Sequence, residues 1–465
     1  MPTSLPHELT GPIALVVLAL LPGLLIVRSP WWTVPFLSLG FWEVSWWWPI
    51  AGGHSRGRFL LAVLSAAGVL LIPRLLPKRR DASDPAPAAT RPQVRFPSGP
   101  SILLLGVALL TLVPLMTARH APGGAMAFHS QAALLLVWRD GLPLSYQPLL
   151  PVAPFGAHEP AMPLLAADVA LVSGLDPARS VLLVALGTTG LLMLALCPLY
   201  ARWTTPARAA VGAVAGVGLA PWPTPAPGLG GGESAMALAF GAAAAALLLG
   251  HRSRWSAAAA GLLLAVSAMA GPLLAPAVLL GSLITRHSGA VGPGARGRFP
   301  LATGLALTLA GPYLLRLGRA ASPRELEAAL ADLRPSSVLC ALGGLLVLSL
   351  LPVLASRLPR GRLGRDRIGA VVLGGLGAAL ILARTLAWVE AGRLRPDELA
   401  ALEQLAVTTR PLDVVCAPDG VGDWVPSLSG RAVGGPGPWV PPVLREEAGR
   451  APACTVDWIP AARGR

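Results

Sequence analysis

The sequence predicts an α-helical polytopic membrane protein of about 12 transmembrane helices, with surface helices in its first extracytoplasmic loop and a small α/β extracytoplasmic module at the C-terminal end. Three observations predict this. Hydrophobic residues make up 54% of the 465 and charged residues only 13%, about half the charge of a soluble domain. The apolar residues come in runs of about 16 to 23, the length that crosses a hydrocarbon core of roughly 30 Å. The arginines sit in short breaks between those runs, where basic residues set topology. This last point also disposes of nucleic acid as a partner: the net charge is +14, but it is spread over loops instead of gathered in one basic patch. Lys78 is the only lysine and asparagine is absent, while Gly and Pro number 52 and 48. Such a bias reads as a GC-rich bacterial genome, so the abundance of Arg, Ala, Gly and Pro carries no functional weight.

The first apolar run, Gly11 to Val27, has no basic leader and no small-residue cleavage site, which predicts a retained helix over a signal peptide. Spans at 31–50 and 59–77 complete an N-terminal block, residues 1–80. A Pro/Ala-rich linker, 81–99, follows Lys78, Arg79 and Arg80 and contains Arg91 and Arg95; these charges place it in the cytoplasm. The span 100–117 opens a core that extends to residue 389 and leads to an outer loop, 118–163.

Within that core, spans at 179–200, 206–222, 233–250, 255–270, 272–285, 299–318, 336–356 and 367–389 put every strongly basic short loop on the inner face. The segment 319–335 falls outside, and there Arg319, Arg324 and Arg334 alternate with Glu325, Glu327 and Asp332. The agreement requires that 160–176, interrupted by Asp168, does not cross, and we read it as a re-entrant or membrane-surface helix. Both termini then lie outside, in the inner membrane of a bacterium. Residues 390–465 are polar and form the extracytoplasmic module.

Acidic residues are scarce, so those on the outer face are the candidates for chemistry. The outer loop holds Asp140 and Glu159, with His120, His129 and His158. A carboxylate at the membrane boundary can act as general base toward a hydroxyl, or hold a divalent cation such as Mg or Mn against phosphate. The plainer reading is two ordinary acids in a wet loop. His158-Glu159-Pro-Ala-Met162 begins like the zinc-protease helix but has Met162 where the second histidine must stand, so no metal site is assigned, and His129 and His158 are left as binding candidates or loop residues.

Glu233 closes Gly228-Leu-Gly-Gly-Gly-Glu233, a glycine-rich lead into a helix. Backbone N–H groups there suit a phosphate, although Glu233 already supplies negative charge. Arg384 lies about 7.5 Å below the outer end of the last span, either snorkelling or offering a cation to a lipid phosphate. Glu43 stands beside Trp42 and Trp46-Trp47-Trp48, an aromatic belt that needs no ligand.

Of the cysteines, Cys197 and Cys340 fall in apolar spans. Cys416 and Cys454 fall in the outer module, where disulfides persist. Each flanks a short strand-like run, which makes them a candidate pair.

Several segments resemble the GT-C type of integral-membrane glycosyltransferases, the group of the lipid A aminoarabinose and protein mannosyltransferases. They are Gly123-Gly124-Ala125-Met126-Ala127-Phe128-His129, Gly141-Leu-Pro143-Leu-Ser-Tyr146, His158-Glu159-Pro160-Ala-Met-Pro163 and Ser173-Gly174-Leu175 leading into a long span. The resemblance implies transfer of a sugar from a polyprenyl-phosphate donor to an envelope acceptor, with membrane lipid as the surrounding partner. It also implies an aspartate in the first outer loop, at the position where this chain has Ala125. Glu159 or Asp140 would then have to take the role of base, with His129, His158, Glu233 and Arg384 binding substrate. The rival readings are an inactive homologue that scaffolds envelope assembly, and a transporter or flippase of lipid-linked intermediates.

Overall fold

The computed structural model describes residues 5–26, 30–48, 55–75, 99–116, 118–149, 155, 160–202, 204–219, 231–250, 253–271, 298–320, 363–391, 394–410, 413–417, 422–434 and 455–457. These residues form fourteen α-helices, short helical turns and three short strands.

The N-terminal block begins with α1 (Leu5–Leu20) and the single turn α2 (Gly23–Ile26), separated by Leu21-Pro22 because a proline cannot donate into the ladder. Helix α3 (Val34–Trp47) packs beside them, with proline in its first turn. Helix termini leave carbonyls without partners, a serious cost in apolar surroundings. Here Trp42 Nε1 donates to Leu18 O at 3.1 Å and Leu21 O at 2.8 Å, while Ser38 Oγ accepts from Gly23 N at 2.7 Å. The broken end of α1 is therefore closed by side chains of α3. Helix α4 (Arg56–Leu75) follows.

The core is organised around α8 (Pro177–Tyr200). Its start is set by Asp176, whose Oδ1 accepts from Ala178 N at 2.7 Å, and by Pro177 at the first helical position. Against it lie α5 (Gly99–Leu110), α6 (Gly124–Arg139), α7 (Ala161–Ser173), α9 (Pro206–Leu219) and α10 (Gly231–Gly250). Helix α11 (Arg254–Ala270) packs on α10, and α12 (Arg298–Ala320) packs on α11.

The long α13 (Leu363–Ala391) closes on α9 through paired glycines. A Cβ on Gly377 would stand 2.8 Å from Ala215 Cα and 2.9 Å from Val214 O. Without side chains the two backbones approach closely, which is how helices gain contact where lipid removes the hydrophobic drive.

Among the described residues three helical stretches are long and apolar enough to cross a membrane: Leu9–Ile26, Pro177–Tyr200 and Val372–Glu390. The count of about 12 is not reached among the described residues, where Ile102–Leu115, Pro206–Leu219, Ser234–Gly250 and Arg254–Ala270 are shorter apolar helices. The expected spans 272–285 and 336–356, and the linker 81–99 up to Ser98, lie outside the described residues. Helix α7 has 13 residues, about 20 Å of helix, less than a hydrocarbon core.

Beyond α13 comes α14 (Pro396–Thr408), then β1 (Val414–Cys416), β2 (Ala432–Gly434) and β3 (Val456–Asp457). The strands form a parallel sheet in the order β2-β1-β3. Arg431 ties this sheet to α14: Nε donates to Thr409 Oγ1 at 2.9 Å, and Nη2 donates to Ala406 O and Thr409 O, both at 2.7 Å. Cys416 is disulfide-bonded, whereas Cys454 lies outside the described residues.

This module sits on the segment 118–138. His120 stacks on Trp424 with ring centroids 4.3 Å apart, and Gln131 Nε2 donates to Asp423 O at 2.8 Å. Arg119 and Glu403 pair at 2.9 Å on the surface. Gly430, at φ +68°, lies so close to Trp138 that an added Cβ would stand 3.0 Å from the indole. The module thus packs on His120 and on α6.

Candidate functional site

Asp140 ends α6 in the left-handed region, at φ +49°. From there its carboxylate Oδ1 accepts from Gly57 N at 2.7 Å, and its carbonyl accepts from Arg56 N at 2.8 Å. Both donors belong to the first turn of α4, whose N–H groups have no intrahelical partner and favour an anion. Asp140 therefore caps α4. Asp140→Asn, which keeps an acceptor oxygen and tolerates left-handed φ, is expected to hold thermal stability within about 0.5 kcal/mol, and Asp140→Ala to lower it by about 1 to 2 kcal/mol. Unfolding of the purified protein in detergent measures both.

The capped turn aims Arg56 into the bundle. Its guanidinium forms a bidentate pair with Asp168 of α7, Nε to Oδ1 at 2.8 Å and Nη2 to Oδ2 at 2.6 Å. Two further N–H groups donate to Ser45 Oγ at 2.8 Å and Trp42 O at 3.0 Å. The guanidinium carbon lies 4.3 Å from the centre of the Trp46 ring and 5.2 Å from that of Phe59. Arg56 and Asp168 side chains are 5% and 1% exposed. In such surroundings each ion needs the other, and the planar fork matches the carboxylate where an ammonium would not.

Glu43 of α3 belongs to the same cluster, within electrostatic reach of Asp168 and Arg56. It is 1% exposed, and neither carboxyl oxygen has a hydrogen-bond partner among the described residues. Trp46 and Trp47 bring two further unpartnered groups, their indole N–H donors. The Trp46 indole N–H also faces the Asp168 carboxylate.

The other sequence-predicted residues do not join this cluster. His129 is 2% exposed on α6 and packs edge-on to Phe128. Arg384 Nη1 donates to Gly218 O at 3.2 Å, a cation at the C-terminal end of α9 where the helix dipole favours one. Glu233 falls in the first turn of α10, with its side chain outside the described set. His158 and Glu159 lie outside the described residues and directly precede Pro160, the cap of α7. Among the described residues no three His, Cys, Asp or Glu side chains could hold a metal. Asp176, at the turn between α7 and α8, has its carboxyl pushed above the usual range by burial, against the backbone N–H of Ala178.

Sequence reasoning missed the Arg56 clamp. Its parts were visible, a mid-helix carboxylate at 168 and an arginine opening a helix, but 112 positions separate them and no local spacing joins them.

An apolar cavity of about 240 Å³ lies between α1, α3, α5 and α8 and reaches Leu165 of α7. Val16 and Leu105 line it and are 55% and 58% exposed, so the cavity opens to the outside of the helix bundle.

No family model matches the chain, and no curated protein matches it. Among solved structures it is similar to the crystal structure of the Archaeoglobus fulgidus oligosaccharyltransferase complex with zinc and sulfate, with 11% identity and a TM-score of 0.37 over 71% of this chain and 62% of that one. The chain thus spans less than two thirds of that protein's length.

Proposed function

We propose that the protein transfers a sugar from a polyprenyl-phosphate carrier to an envelope acceptor at the outer face of the bacterial cytoplasmic membrane. The observation that supports this reading is the apolar cavity that opens to the outside of the bundle and touches α7, the helix that Glu159 precedes. An isoprenoid can stay in apolar surroundings while its phosphosugar meets the outer loop. With Asp140 committed to α4, the base that takes the acceptor proton is Glu159. His129, His158 and Glu233 join it in binding substrate, and a divalent cation, Mg or Mn, with Arg384 offsets the charge of the departing phosphate. Both termini lie on the outer side.

Reconstituted protein supplied with a polyprenyl-phosphate-linked hexose tests this. Glu159→Gln should reduce transfer by about 100-fold or more while leaving the folded protein intact, and full activity in that variant removes Glu159 from the mechanism.

A second reading, a non-catalytic homologue that scaffolds envelope assembly, is favoured by one observation: Ala125 opens α6 where the resemblance calls for an acid. Absence of turnover in the wild type, with turnover gained in Ala125→Asp, selects it.

A further inference from the structure

The cluster of Glu43, Asp168 and Arg56 has two carboxyl groups and one guanidinium, all three at most 5% exposed. Four of the five guanidinium N–H groups are engaged, by Asp168, Ser45 and Trp42, and the guanidinium's single charge is matched by Asp168. With both acids ionised the buried cluster would carry one uncompensated negative charge on Glu43, whose oxygens receive no donor among the described residues. An isolated carboxylate in apolar surroundings is not sustained; it binds a proton or a cation.

A metal cation needs about six oxygen ligands, whereas Glu43 shares its helix face with two indoles, Trp46 and Trp47, one turn on. Those indoles can only donate. Helix α4 offers Arg56, already a cation, and α7 offers Asp168, already paired. Helix α12 brings Tyr313 and Arg316 onto Trp47, with ring centroids 5.3 Å apart and the guanidinium 5.6 Å from the ring centre, and Arg298 at its opposite end. Helix α11 has no acid, histidine or lysine, only Arg254 at its start. Helix α1 has His7 and Glu8 in its first turn, with side chains outside the described set. Among the described groups, nothing supplies the oxygens a metal requires.

We infer that Glu43 is a proton-binding site, and that its proton holds the Arg56–Asp168 clamp together. The neutral carboxyl leaves Arg56 to Asp168 alone. Loss of the proton to water sets a second carboxylate in competition for the same guanidinium and loosens α7 from α4. No bond other than the O–H of Glu43 is made or broken. The inference does not depend on sugar transfer, and its test uses no substrate.

Infrared spectroscopy of the full-length protein in lipid nanodiscs at neutral pH reads the proton directly. The expected result is a protonated-carboxyl C=O band that shifts in D₂O, shifts again when only the glutamates are ¹³C-labelled, and disappears in Glu43→Gln. Unfolding gives a second readout with a definite sign. The native state keeps a proton that the unfolded chain releases above about pH 4.3, so wild-type stability should fall as pH rises, and Glu43→Gln, fixed in the neutral form, should lose that slope.

Absence of the band in the wild type overturns the inference, as does a band insensitive to glutamate labelling. A stability that tracks sodium or potassium concentration at constant ionic strength also overturns it, because Glu43 then holds a cation. Should Glu43→Gln not fold, Glu43→Asp keeps a carboxyl at the site, and persistence there of the glutamate-labelled band overturns the inference.

Discussion

Arg56→Met is expected to destabilise the protein by about 3 to 5 kcal/mol, because it leaves the Asp168 carboxylate buried and unpaired. The effect is large for a specific reason. Asp168 sits in the middle of α7, its side chain 1% exposed, and Arg56 is its only ionic partner among the described residues. Arg56→Lys should recover little, since a lysine cannot present the paired Nε and Nη2 donors that meet Oδ1 and Oδ2. The double variant Arg56→Met/Asp168→Leu removes both charges and should be more stable than Arg56→Met alone by about 2 kcal/mol or more. Equal stability of the single and double variants in denaturant titrations would show that the pair does not hold α7 against α4.

Arg431→Ala is the second large effect, and it separates the C-terminal module from the outer loop. Arg431 is 8% exposed and donates to Thr409 Oγ1, Ala406 O, Thr409 O and Ser429 O. Two of these carbonyls end α14 (Pro396–Thr408) or follow directly from it, where no further helical N–H is available. Truncation strands several buried acceptors, each costing about 1 to 3 kcal/mol, so a loss of at least about 3 kcal/mol in module stability is expected. The neighbouring Gly430 rests against Trp138, and loss of the network should free that contact too. Limited proteolysis is the measurement: cleavage near Arg410 should become much faster in Arg431→Ala and stay slow in the wild type. Unchanged cleavage would mean that the stack of His120 on Trp424 suffices to hold the module.

Helix identity was legible in the sequence because it depends on local quantities. Runs of apolar residues, a proline after Asp176, and arginines confined to short breaks mark α8 and its neighbours without knowledge of any partner. The shortness of α7 was legible for the same reason: a carboxylate at 168 within a run of about 16 residues is a poor span by length and by charge.

The roles of individual acids were decided by tertiary structure. Asp140 and Glu159 look alike in sequence, as two acids of one outer loop, yet Asp140 is turned by its left-handed backbone onto the first turn of α4. Glu43 looked like one more polar residue in an aromatic belt. It became a buried acid only when α4 and α7 brought Arg56 and Asp168 to it. Desolvation and charge pairing act through space over a few ångströms, and the residues concerned are separated by up to 125 positions along the chain. Local pattern determines which segments become helices in an apolar medium; the packing of those helices determines which carboxylates are caps, which are paired, and which one is left to bind a proton.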